Sequence, residues 1–99
     1  MAELMDKVAC RTPAEGRDGV TNIPAWKFDA VRAAILQTLA SGPIKAMTLK
    51  DRVAEIMAPD DLERLGKLGW HVVTVKLEME VRGEIARLDV KGPQQIRAV

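Results

Sequence analysis

The side chains able to do acid–base, nucleophilic or metal chemistry are few and scattered. His71 is the single histidine and Cys10 the single cysteine, and no motif links them. General acid–base work needs groups held within hydrogen-bond reach of one another, and a nucleophile needs an adjacent base. A lone histidine in the first turn of a helix serves instead as a surface or capping residue. A structural zinc takes about four His, Cys or carboxylate ligands, which one histidine and one cysteine do not approach. Glu78, Glu80 and Glu84 fall along a helix and its exit. They read as solvated charge that pairs with Lys76, Arg82 or Arg87, each pair contributing about 0.2–0.5 kcal/mol. Gly66, Gly69, Gly83 and Gly92 are spread out as element breaks and are not gathered into a phosphate loop. The expectation is a non-enzymatic chain without catalytic residues, metal, cofactor or small-molecule ligand.

What remains is recognition of macromolecules. Val72, Val75 and Met79 recur at three- and four-residue steps and stack on one side of a helix. A rotation of about 100° per residue then turns Trp70, Thr74, Leu77 and Val81 outward. That outward face carries no Arg, Lys, Asn or Gln, the types that read base edges best. For duplex DNA the candidate contacts are Thr74 and, from the flank, His71, followed by Arg87, Lys91 and Arg97 in the segment after the helix. Arg82, Arg87, Lys91 and Arg97 there outnumber Glu84 and Asp89 by two charges, enough to meet phosphates. Glu78 and Glu80 would repel them. The alternative is a protein interface, most simply a homodimer, built on Trp70, Leu77 and Val81, since a helix apolar on two sides has both sides covered. Cover from the chain's own connector leucines, arm or terminal strands is an equal reading.

The elements that position these residues follow from spacing and breakers. Gly83 falls one turn after Met79, where a glycine past a helix end takes the left-handed conformation. Ile85 and Leu88 anchor a strand, Lys91-Gly92-Pro93 makes a turn, and Gln94 to Val99 alternates with Ile96 and Ala98 on one side. Upstream, a helix starts near Pro24 with Phe28, Val31, Ile35 and Leu39 as its buried stripe, and Ser41-Gly42-Pro43 stops it. Ile44 to Met47 is a short extended piece. Thr48 is placed to cap the next helix, with Asp51 completing a shortened capping box, and that helix closes near Ala58 ahead of Pro59. Leu62, Leu65 and Leu68 allow about one helical turn, with Gly66 and Gly69 separating it from the last helix. Phe28, Val31, Ile35, Leu39, Val53, Ile56, Val72, Val75, Met79 and Ile85 are expected to share one core.

Residues 1–22 read as a partly flexible N-terminal arm. Leu4, Met5 and Val8 would share a face of a short helix over Met1 to Cys10, and residues 11–22 hold too many breakers for a packed element. The arm is either a frayed terminus or a piece that packs on a partner subunit. Residues 23–99 then form one domain, within the 99 residues of the chain. With 47% apolar and 29% charged residues the composition is that of a soluble globular domain. A net charge of +1 gives no global pull toward nucleic acid. No apolar run reaches the ~20 residues of a membrane span, and no signal peptide is legible. A lone cysteine forms no intramolecular disulfide, so a cytoplasmic setting is expected.

Helix, short strand, helix, connector, helix, strand, strand is the order of a winged helix. The expected class is α+β, mostly α: a three-helix helix-turn-helix core, a short strand after the first helix and a C-terminal two-strand wing. Such folds place the last helix in the major groove. The stretch from His71 to Ile85, with Met79, Glu80, Arg82-Gly83 and Ile85 in place of a Leu-Glu-x-Arg-Gly-hydrophobic pattern, resembles the last helix and wing entry of bacterial winged-helix regulators. More narrowly, Gly69-Trp70, Val75-Lys76-Leu77-Glu78, Arg82-Gly83-Glu84-Ile85 and Gly92-Pro93-Gln94 are similar to a family of small bacterial winged-helix proteins of unknown function. That resemblance spans residues 22–99; it implies the fold and brings no activity with it.

Overall fold

Apolar spacing of three and four residues builds most of the chain into helices. The computed structural model describes residues 7–11 and 21–99. The architecture is α+β and mostly helical, with two small antiparallel sheets. Strands β1 (Lys7–Cys10) and β2 (Thr21–Pro24) lead into α1 (Ala25–Leu39). Then come β3 (Ile44–Lys45), α2 (Leu49–Ile56), α3 (Pro59–Leu65), α4 (Leu68–Val81), β4 (Ile85–Leu88) and β5 (Gln95–Ala98).

Helix α1 buries Phe28, Val31, Ala34, Ile35 and Leu39 along the expected stripe, and the Thr38 hydroxyl is satisfied by the Ala34 carbonyl at 2.9 Å. Pro24 precedes the first helical turn rather than standing in it. The entry to α2 corrects the capping expectation. A 3-10 turn over Ala46–Thr48 runs straight into the helix, and Thr48 has φ −91°, ψ −6°. An N-cap side chain reaches forward from extended backbone; from this helical geometry the Thr48 hydroxyl donates back to the Lys45 carbonyl at 2.7 Å. Met57 and Ala58 are extended ahead of Pro59, which opens α3 with Asp60 and Asp61 in its first turn.

Helix α3 is longer than the single turn expected, and it stops at Gly66, whose φ of +87° favours glycine. Lys27 of α1 caps it, Nζ donating to the Leu65 carbonyl at 3.1 Å. Gly69 is not a second break: it lies inside α4, which begins at Leu68. The other end of α4 closes as Gly83 requires. With φ +77°, Gly83 donates to the Glu80 carbonyl at 3.1 Å while Glu84 donates to that of Met79 at 2.9 Å, the paired bonds of a Schellman ending.

Helices α1, α2 and α4 pack on one another, and Phe28, Val31, Ile35, Leu39, Val53, Val72, Val75, Met79 and Ile85 are buried together as expected, with Ile56 only half-buried. The two C-terminal strands are not an isolated ribbon. β5 lies between β3 and β4, with Ile44 opposite Ile96 and Ile85 opposite Ala98. The register puts Ile85, Ile96, Ile44 and Ala98 on the core side.

The N-terminal segment departs from expectation. Lys7–Cys10 is a strand rather than part of a helix, paired antiparallel with Thr21–Pro24. Its burial alternates, Val8 partly and Cys10 fully covered between exposed Lys7 and Ala9, which is the two-residue period of a strand. Leu4 and Met5 lie outside the described residues.

Candidate nucleic-acid and partner-binding surface

The acids of α4 pair with Lys76, Arg82 and Arg87 as expected, but Glu78 and Glu80 are largely covered rather than solvated, and Glu84 at the helix exit is partly so. Glu78 is 1% exposed. Its carboxylate accepts from the Arg11 backbone N–H at 2.9 Å, Arg11 Nε at 3.0 Å, Arg11 Nη2 at 2.7 Å and Arg82 Nε at 2.8 Å. The Arg11 hydrogen bonds, ahead of those from Arg82 and against the desolvation of burial, hold its pKa down at about 2. Arg82 also lies 4.7 Å over the ring of Phe28. Glu80 pairs with Lys76 at 3.1 Å and with Arg87 of β4. Glu84 takes Arg32 of α1 in a two-point grip, Nε at 2.9 Å and Nη2 at 2.6 Å, and its pKa is lowered chiefly by those bonds. Helix α4 is thereby tied to β1, to β4 and to α1 by charge as well as by packing.

These ties reorder the candidate residues. Arg87, expected to meet phosphate, is engaged by Glu80. His71 does not flank an open face: it is 7% exposed, and its Nδ1 donates to the Lys67 carbonyl at 2.7 Å while the ring of Trp70 meets it edge-on at 4.9 Å. Thr74, Leu77 and Val81 are half-buried. The open part of α4 is its first half, where Trp70 is 47% and Val73 52% exposed. Val73 is absent from the expected outward set, although steps of about 100° per residue put it only about 40° around the helix from Leu77 and about 60° from Trp70. Lys91 and Arg97 stay exposed, and no carboxylate among the described residues pairs with either.

Lys45 joins them from β3. It stands opposite Gln95, which shares a sheet face with Arg97 two residues on. Lys45, Gln95 and Arg97 thus share the sheet face turned away from the core, with Lys91 in the turn that leads to it. Asp89 is the acid of that turn. The short extended piece is as expected, but Lys45 is not among the expected site residues, because the face it joins is set by Gln95, fifty residues downstream.

No helix among the described residues is long and apolar enough to cross a membrane. The sequence matches, over residues 7–96, the family described as "Family of unknown function (DUF6958)". The chain belongs to that family, and the match takes in β1 and β2 as well as the helices, β3, β4 and the start of β5. No curated protein and no solved structure matches it.

Proposed function

We propose that this member of the DUF6958 family is a non-enzymatic winged-helix module that binds nucleic acid through phosphates and reads little sequence. The order α1, β3, α2, α3, α4, β4, β5, with β5 central in its sheet, supports the winged-helix reading: α4 takes the place of the recognition helix and residues 89–94 that of the wing turn. A single cysteine that needs no disulfide suits a cytoplasmic setting.

One observation carries the nucleic-acid reading. The acids of α4 are consumed inside the fold by Arg11, Arg82, Lys76 and Arg87, whereas Lys45, Lys91 and Arg97 face solvent without a carboxylate partner among the described residues. The charge left to the surface on this side is therefore basic even though the chain is nearly neutral. Trp70, Val73, Thr74 and Leu77 offer base edges one hydroxyl, one indole N–H and a set of apolar contacts, with no bidentate pair to discriminate bases. Lys91→Ala and Arg97→Ala should each weaken binding equally on unrelated duplexes and reduce the salt slope by about one. Arg87→Ala should not reduce that slope, because its charge is already spent on Glu80. A full-unit loss of slope for Arg87→Ala, with none for Lys91→Ala, would reverse the assignment.

The exposure of Trp70 and Val73 favours a second reading, an interaction module using the outer face of α4 with Leu77 and Val81 at its margin. A second copy of the chain is its simplest occupant. Sedimentation at low and high concentration separates the two readings, because self-association lost in Val73→Lys with an unchanged melt belongs to the interface alone.

A further inference from the structure

The N-terminal strand is bound to the helical body by unlike means from the rest of the chain. Its four residues fully bury one side chain, Cys10, and partly bury Val8. Its ladder partner is β2, which by contrast runs through Pro24 directly into α1 and buries Ile23. A two-stranded ribbon has little stability of its own. Beside the packing of Cys10 and Val8, the polar hold of this segment on α4 is Arg11, through the three hydrogen bonds from its backbone and guanidinium to Glu78. That clasp is open to water on one side, since half of the Arg11 side chain is exposed.

We propose that β1 is a strap that opens and closes over α4 independently of the helical core, with Arg11 as its clasp on Glu78. Opening strands no unpaired charge, because Glu78 keeps Arg82 at 2.8 Å and gains water in place of Arg11. Among the described residues the strap's own covered apolar side chains are Cys10 and Val8, and opening also breaks the short ladder to β2, while Phe28, Val31, Val75 and Met79 belong to the core of α1 and α4. Segments with so little buried surface open at a fraction of the global free energy. Opening bares the Glu78 carboxylate on α4 and carries the Cys10 thiol away with the strap, so the strap is placed to change what α4 offers a partner. It does not depend on whether that partner is nucleic acid.

Cys10 is the built-in reporter. Closed, the thiol is buried and its pKa is pushed up to about 11, by burial first and the Glu78 charge second. Reaction with an aromatic disulfide reagent at mildly alkaline pH therefore measures the open fraction. In the wild-type chain labelling is expected to run faster than global unfolding allows, with a shallow dependence on urea at low concentration that steepens only near the unfolding midpoint. Arg11→Ala should speed it roughly 10- to 100-fold, as the loss of charge-assisted hydrogen bonds implies, while the helical melting midpoint moves by only a few degrees. Labelling that follows global unfolding at every urea concentration would overturn the strap. So would an Arg11→Ala chain that fails to fold, because the core would then depend on the clasp.

Discussion

Glu78 shows how one carboxylate can be buried at low cost. Four hydrogen bonds from Arg11 and Arg82 saturate it, and both arginines keep solvent on their far sides. Its pKa sits near 2 instead of the ordinary 4.5, so the folded state holds the charged form more tightly than the unfolded chain does. The stability this adds is complete above the ordinary carboxylate pKa and is lost as pH falls through the folded value, that is between about pH 5 and pH 2. Glu78→Gln should lower the melting midpoint at neutral pH by about 4–8 °C, the shift that the loss of a net hydrogen bond produces in a domain this small. It should also flatten the acid-side fall in stability. A melting profile from pH 7 to pH 2 as steep for the variant as for the wild type would place the acid sensitivity elsewhere. Sequence did not disclose this site, because Arg11 and Glu78 are far apart in the chain and a helix surface acid looks the same whether or not a distant strand returns to cover it.

At the scale of elements, the legible parts were those written in local spacing and breakers. The stripe Phe28, Val31, Ile35, Leu39, the glycine ending at Gly83 and the alternation around Ile96 each state a period or a backbone conformation that one kind of element satisfies. Val75→Asp puts a charge at a fully buried position of α4 and should cost several kcal/mol, unfolding the domain; a cooperative melt at the wild-type temperature would contradict the packing of that face. The misread parts were decided by partners. Lys7–Cys10 is too short to choose helix or strand alone and takes its form from Thr21–Pro24. Thr48 has a capping residue's chemistry, but the 3-10 turn before it leaves no extended position to cap from. Gly69 resembles a break and is not one, since a glycine in a first helical turn costs little when Leu68, Val72 and Val75 are held by the core. On the open half of α4, Val73→Lys should leave the melting midpoint nearly unchanged, as exposed substitutions shift stability within about 0.5 kcal/mol. The same variant should raise affinity for random duplex by adding a positive charge, and a loss of affinity would mean that Val73 itself contacts the ligand.

Across the whole molecule, the acids of α4 and its exit are set apart from exposed acids such as Asp51, Glu55 and Glu63 by being paired within the fold. With 15 basic and 14 acidic residues the chain is close to neutral, yet the carboxylates on α4 and its exit are turned inward to bind the strand, the sheet and α1 together. The basic groups on the outer sheet face and its turn, Lys45, Lys91 and Arg97, stay free to meet an external polyanion. A protein that binds this way shows it in the salt dependence before it shows it in any sequence preference. The decisive measurement is a titration of the wild-type protein with two unrelated random duplexes across a series of salt concentrations, read by fluorescence anisotropy. Micromolar binding at low salt is expected, equal for the two sequences and falling linearly in log affinity against log salt with a slope of about two to three for the phosphates met by Lys45, Lys91 and Arg97. No binding to either duplex at micromolar protein and low salt would contradict it and leave the apolar face of α4 as the functional surface.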